Sequence, residues 1–217
     1  MEIKVILADD HQVLRESLSV ILDQDPGIKV VGQAENGREV VRLCPQLKPD
    51  IVVMDINMPE LNGVEATRQI LIDQPSIQVI MLSMSATKEH IYQAFQAGVR
   101  GYLIKESSVM EVIDAIKAVS EGKRYISSQL TDTVIDDYFI KRNGEEHTNP
   151  LDRLSSRERQ ILQLVAEGKS SKAIAGLLNL SVSSVSTYRS RLMKKIGLND
   201  LTELIKFAVE YGIIDSN

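Results

Sequence analysis

The sequence predicts a doubly wound, five-stranded parallel α/β domain followed by a small all-α domain. Two observations carry this. Over the first ~120 residues, five short β-rich apolar runs alternate with five segments of helical spacing. From residue 153 onward no strand-like run remains, and short helical pieces follow one another between serine starts and glycine ends. A chain of 217 residues, 43% hydrophobic and 25% charged, has the material for one or two such cores.

The strand-like runs are Lys4–Ala8, Ile28–Gly32, Ile51–Met54, Val79–Ser83 and Tyr102–Ile104. Between them lie apolar stripes at helical spacing. Val13, Leu14, Leu18, Ile21 and Leu22 form the first, and Val40, Val41 and Leu43 a shorter second. Val64, Thr67, Ile70 and Leu71 form the third, and Ile91, Ala94, Phe95 and Gly98 the fourth. Val109, Val112, Ile113, Ile116 and Val119 form the fifth. Strict alternation of this kind implies a parallel sheet with helices on both faces, and polar sites at the carboxyl ends of the strands.

Residues 121–150 change character. Gly122-Lys123-Arg124 and Asn143-Gly144-Glu145-Glu146 are polar, and Asn149-Pro150 is a breaker pair. Ser128–Ile140 has the spacing of one more amphipathic helix, and Lys141–Asp152 reads as an exposed linker. Beyond it, helices are expected at Arg157–Glu167, Lys172–Leu178, Val182–Ile196 and Leu201–Tyr211. Each start has a capping candidate, and Gly168, Gly197 and Gly212 supply left-handed residues at three ends. The expected divisions are 1–122, a helix and linker at 123–152, and 153–217.

Composition excludes several classes. No run of 18 apolar residues exists, so no membrane span is expected. The start, Met-Glu-Ile-Lys-Val-Ile-Leu, enters a strand directly and lacks the pattern of a signal peptide. Cys44 has no partner for an internal disulfide, and a cytoplasmic location is expected. Three scattered histidines and one cysteine argue against a closed structural zinc site. Charge is uneven: residues 1–150 carry 15 basic and 23 acidic side chains, and 151–217 carry 10 and 7. Residues 168–199 hold six basic side chains and no acidic one. Such asymmetry suggests two modules with different partners.

Asp9 and Asp10 follow the first strand, Asp55 ends the third, Ser83 ends the fourth and Lys105 follows the fifth. In a parallel sheet these ends share one edge. Three carboxylates there repel one another, and an ion such as Mg²⁺ relieves this. A lysine and a hydroxyl complete a set suited to a phosphoryl group on an oxygen nucleophile. Pro59 restrains the loop after Asp55.

The spans Leu7-Ala-Asp9-Asp10-His, Met54-Asp55-Ile-Asn57-Met-Pro59-Glu-Leu-Asn-Gly63 and Gly101-Tyr102-Leu-Ile-Lys105 resemble the receiver domain of two-component response regulators. The resemblance implies a flavodoxin-like fold in which Asp55 accepts a phosphoryl group from a sensor histidine kinase. It implies Mg²⁺ held by Asp9, Asp10, Asp55 and the backbone carbonyl of Asn57. Lys105 is then the phosphoryl contact, and Ser83 with Tyr102 the switch pair. Met84 departs from the smaller residue usual beside the switch hydroxyl, which bears on access to the acceptor.

Two of the C-terminal helices have a DNA-binding layout, joined by the short turn Asn179-Leu180-Ser181. On the second, Val185, Leu192 and Ile196 are spaced to pack inward. Ser183, Ser184, Ser186, Thr187, Ser190, Arg191 and Lys194 face out, where hydroxyls allow close approach and basic groups meet phosphate and guanine. The span Leu154–Ser170, with Ile174-Ala175 and Val185-Ser-Thr-Tyr188-Arg, resembles LuxR-type helix-turn-helix domains. The whole chain resembles a NarL/FixJ-type response regulator. That resemblance implies double-stranded promoter DNA as a partner, read through Ser184, Ser186, Thr187, Ser190, Arg191 and Lys194. Ser186 stands where lysine is common, so affinity leans on Arg189, Arg191, Lys194 and Lys195. The resemblance also implies a homodimer through the last helix, with Leu201, Leu204, Ile205 and Ala208 as contacts. Phosphorylation either exposes a dimer surface or releases the C-terminal domain. Two other classes fit some of the residues: a Mg²⁺-dependent phosphatase or phosphotransferase, and a phosphorylated adaptor that binds protein without DNA.

Overall fold

The computed structural model describes residues 2–84, 87–131 and 149–214. Its contacts divide the chain into two compact units, Met1–Asn143 and Gly144–Asn217.

The first unit is a parallel sheet of strands β1 (Ile3–Ala8), β2 (Ile28–Ala34), β3 (Ile51–Asp55), β4 (Gln78–Ser83), β5 (Gly101–Ile104) and β6 (Tyr125–Ile126), in the order β2-β1-β3-β4-β5-β6. Helices α1 (Gln12–Leu22), α2 (Gly37–Leu47), α3 (Gly63–Asp73), α4 (Lys88–Ala97) and α5 (Val109–Ser120) alternate with them. Side chains along each strand point to opposite faces, so one sheet builds two cores. Val5, Leu7, Ile51, Val53, Ile80 and Leu82 pack under α1 and α5. Ile6, Ala8, Val52, Met54, Val79 and Met81 pack under α2, α3 and α4. All five residues of β3 are buried, as a central parallel strand requires. Each fully buried aliphatic side chain contributes about 1.5–3 kcal/mol.

The chain runs from β1 to β2 on one side, then crosses to β3 on the other. The strand order therefore reverses between β1 and β3, where the flanking loops separate and leave a crevice. Asp9 and Asp10 follow β1, and Asp55 ends β3.

The sheet has one strand more than the five β-rich apolar runs imply. Tyr125 pairs with Gly101 and Ile126 with Tyr102. Two residues are too few to show a period, so this strand has no sequence signature. Tertiary contacts hold it instead. Ser127 N–H donates to the Tyr102 carbonyl at 3.0 Å, and its buried hydroxyl donates to Glu111 at 2.7 Å. The helix expected at Ser128–Ile140 opens as a 3₁₀ turn, Ser128–Leu130, with Leu130 buried in the α4 side core. Residues 132–140 of that helix, and 141–148 of the expected linker, lie outside the described residues.

The second unit comprises α6 (Ser156–Ala166), α7 (Ser171–Leu178), α8 (Val182–Ile196) and α9 (Leu201–Glu210). Ser155, Ser170, Ser181 and Asp200 cap their starts. Gly168, Gly197 and Gly212 take positive φ after three of them, and Asn179 does so after α7. The end of the expected linker belongs to this core, since Leu151 is buried among Leu154, Ile161 and Leu192. Arg159 holds that turn in place through the carbonyls of Leu151 and Leu154.

Candidate functional site

The crevice holds a buried charge cluster. Lys105, just past β5, reaches across with Nζ 2.8 Å from Asp9 Oδ2 and 2.9 Å from Asp55 Oδ2. Only 4% of the Lys105 side chain is exposed, so these charges meet away from bulk water. The strand ends place it: Lys105 N–H donates to the Ser83 carbonyl at 2.8 Å, which aligns the end of β5 with that of β4. Asp10 is more exposed, and its Oδ1 lies 2.8 Å from His11 Nδ1.

Burial is the largest influence on Asp55, and with the charge of Asp9 it pushes the carboxyl up to about 6. Lys105 and the Asn57 amide act the other way. For Lys105, burial disfavours the ammonium, but Asp55 and Asp9 outweigh it and the pKa rises. One ligand atom from each of Asp9, Asp10, His11 and Asp55 falls within a 4.8 Å cluster. Such carboxylate oxygens suit a hard divalent cation.

Ser83 and Tyr102 lie fully buried behind the cluster and share a side-chain hydrogen bond. Burial, partly opposed by that bond, drives the Tyr102 hydroxyl up to about 12. Met84 is exposed. Half-buried Asn57 follows two residues after Asp55, and its amide donates to that carboxylate.

Two further residues, His11 and Arg15, stand beside this cluster. His11 is a third metal-ligating side chain in the run Asp9-Asp10-His11. Arg15 donates from its guanidinium to the Asp9 carbonyl, and nothing in its spacing signals that.

In the second unit, α8 turns Val185 and Leu192 inward, while Ile196 is half-buried against the same core. Ser183, Ser186, Thr187, Ser190, Arg191 and Lys194 are exposed, and Ser184 is half-buried. The Ser186 and Thr187 hydroxyls donate back to the carbonyls of Val182 and Ser183, which leaves their lone pairs facing out. Arg189 and Lys195 are less free than the other basic side chains, although Lys195 is exposed. Arg189 is half-buried, because it falls one turn from inward-facing Val185. Lys195 binds Glu158 Oε2 at 2.6 Å. Glu158 is buried and also closes the capping box at the start of α6.

The last helix also divides. Leu204 and Ala208 are buried in the unit's own core, so they are not free to meet a partner helix. Leu201 and Ile205 are exposed. The cause is the small size of the unit, which needs one face of α9 to close its core.

Burial raises the Glu158 pKa, but Lys195 and Ser155 more than reverse this and leave it lowered. A carboxyl lowered on folding stabilises above its unfolded pKa, and that stabilisation is lost as pH falls through the folded value. Glu158→Gln is expected to cost about 1–2 kcal/mol at pH 7. The deficit should shrink below pH ~4.5. Urea unfolding followed by circular dichroism at both pH values checks this; a deficit independent of pH would assign the effect to packing.

A charged crevice at the reversal of a parallel sheet, joined to a helix-turn-helix unit, defines a two-component response regulator that controls transcription. Residues 5–117 match the family described as "Response regulator receiver domain", and residues 152–208 match "Bacterial regulatory proteins, luxR family". The chain belongs to the NarL/FixJ-type response regulators. It is 36% identical to the response regulator GacA of Pseudomonas aeruginosa over 214 residues, covering 99% of each chain. It is 35% identical to the response regulator UvrY of Escherichia coli over 214 residues, covering 99% of this chain and 97% of that one. A crystal structure of a LuxR-family response regulator from Aurantimonas sp. superposes with a TM-score of 0.62 at 32% identity, covering 64% of this chain and 99% of that one. The family is one of transcription factors rather than classical enzymes. Among the described residues no helix is long and apolar enough to cross a membrane.

Proposed function

We propose that Asp55 accepts a phosphoryl group from a phosphohistidine of a sensor histidine kinase, and that this sets binding to promoter DNA in the cytoplasm. The observation that carries it is Lys105 seated between buried Asp9 and Asp55. A carboxylate oxygen of Asp55 forms the new P–O bond as the P–N bond to the kinase imidazole breaks. The nitrogen keeps the electron pair. Lys105 offsets the charge that arrives on the phosphoryl oxygens. Asp9, Asp10, Asp55 and the Asn57 carbonyl hold Mg²⁺, which supplies the remaining charge neutralisation.

Ser83 then leaves Tyr102 for a phosphoryl oxygen, and the buried phenol repacks. A ligand shifts such a pair only by favouring one arrangement, and the new charge does so by hydrogen bonding to Ser83. The output is a homodimer on DNA, with Leu201 and Ile205 as its C-terminal contacts. Two half-sites bound together gain affinity through effective concentration.

The α8 surface reads the DNA. Ser184, Ser186, Thr187 and Ser190 approach the groove, and Arg191 and Lys194 meet phosphate or guanine. Arg189 and Lys195 flank this surface. The double variant Arg191→Ala, Lys194→Ala is expected to weaken promoter binding and to lower the salt slope by about 2. Gel shifts across a salt series, with and without a phosphodonor, test this. A double variant with the wild-type slope would place the DNA on another face. Wild-type binding that ignores the phosphodonor would break the link between the two units.

A further inference from the structure

We propose that His11 is a nitrogen ligand of the acidic pocket and tilts it toward first-row transition ions, relative to Mg²⁺. The inference rests on the pocket being a cation site, as proposed above.

His11 occupies the N-cap position of α1, yet its side chain makes no capping hydrogen bond. Each other α-helix described has a capping side chain: Asn36, Asn62, Thr87, Ser108, Ser155, Ser170, Ser181 and Asp200. The imidazole turns to the carboxylates instead. Nδ1 lies 2.8 Å from Asp10 Oδ1 and 3.2 Å from Asp9 Oδ1. Asp9 Oδ1 also accepts from the His11 amide at 2.8 Å, so the backbone fixes the approach of ring to carboxylate.

These separations have a meaning for coordination. Donors at ~2.1 Å from an octahedral ion stand ~3.0 Å from their neighbours. His11 Nδ1 keeps this spacing to two carboxylates at once, inside the cluster that includes Asp55. The two oxygens of Asp9 divide the work, Oδ1 facing His11 and Oδ2 facing Lys105. The Lys105 ammonium stands farther from the ring, with Nζ 3.5 Å from His11 Nδ1.

Donor chemistry then decides the ion. Carboxylate, carbonyl and water suit Mg²⁺, whereas an imidazole adds affinity for later first-row divalent ions and little for Mg²⁺. Co²⁺ is a suitable probe because an imidazole bound to it reports itself directly.

The experiment uses the full-length chain, with calorimetric titration of Mg²⁺ and of Co²⁺ and proton NMR of the Co²⁺ form. The wild-type chain is expected to show a hyperfine-shifted, exchangeable imidazole N–H resonance. His11→Ala should lose that resonance, bind Co²⁺ about tenfold more weakly and keep its Mg²⁺ affinity within about twofold. The His11 side chain is 65% exposed and caps nothing, so the variant should melt with the wild type. A resonance that survives in His11→Ala, an equal loss for both ions, or two ions bound without any imidazole signal would each overturn the inference alone. Failure of either ion to bind the wild-type chain would overturn the cation reading beneath it.

Discussion

An Asp55→Asn variant is expected to take up no phosphoryl group, and in ion-free buffer to be more stable than the parent chain at neutral pH. The first effect follows from removing the acceptor oxygen. The second follows from the sign of the pKa shift. Burial, aided by Asp9, lifts Asp55 from 3.8 to about 6. Between those values the folded chain binds more protons than the unfolded chain, so stability falls as pH rises through that window. The carboxamide of the variant has no charge to bury and escapes this loss. The advantage of the variant should be small below pH 3.8, grow to about pH 6 and then level off. At pH 7 it should be on the order of 2 kcal/mol. Urea unfolding across pH measures the second effect, and labelling from a small phosphoramidate measures the first. Label retained by the variant would move the acceptor to another residue. Equal stability at pH 7 would mean that Lys105 fully compensates the buried carboxylate.

Gly63→Ala should be nearly as damaging, although Gly63 carries no chemistry. A Cβ built at Gly63 would stand 2.1 Å from the Asp55 carbonyl oxygen and 3.0 Å from its carbon. Both are backbone atoms, and the Gly63 amide is tied to the Ile56 carbonyl at 2.8 Å. The loop from Asp55 to α3 must move, and the acceptor moves with it. The expected cost is about 3 kcal/mol in stability. Phosphoryl uptake should slow by about a hundredfold, since a shift near 1 Å in a reacting group has that effect. Thermal melts and labelling kinetics read the two effects. Wild-type kinetics in a folded Gly63→Ala chain would show that the acceptor does not depend on this close approach.

The two variants show how unevenly the site is written in the sequence. Asp9, Asp10, Asp55, Ser83 and Lys105 were legible because each follows or ends an apolar run, and parallel strands bring such ends to one edge. The structure brings them together there. Gly63 closes the receiver-like span without any role of its own there, since its partner is a carbonyl eight positions away. His11 stands in the Asp-Asp-His run, but adjacency in sequence does not say which way a ring turns. In the second unit, Lys195 looks like another cation of a basic stretch. Its attachment to Glu158 links helices 37 positions apart and leaves no local trace. Leu204 and Ala208 share one stripe with Ile205, and only the packed unit shows which of them point inward.

Periodicity and strand-end chemistry by themselves determined the class of each unit, the elements that build it and the charged residues of the crevice. These are properties of short stretches, governed by backbone repeat and solvent transfer. The sixth strand, the division of α9 into buried and exposed positions, the Lys195 pairing and the direction of His11 were decided only by the tertiary structure. Each depends on which distant surface a side chain meets, and that contact forms only when the layers close on one another.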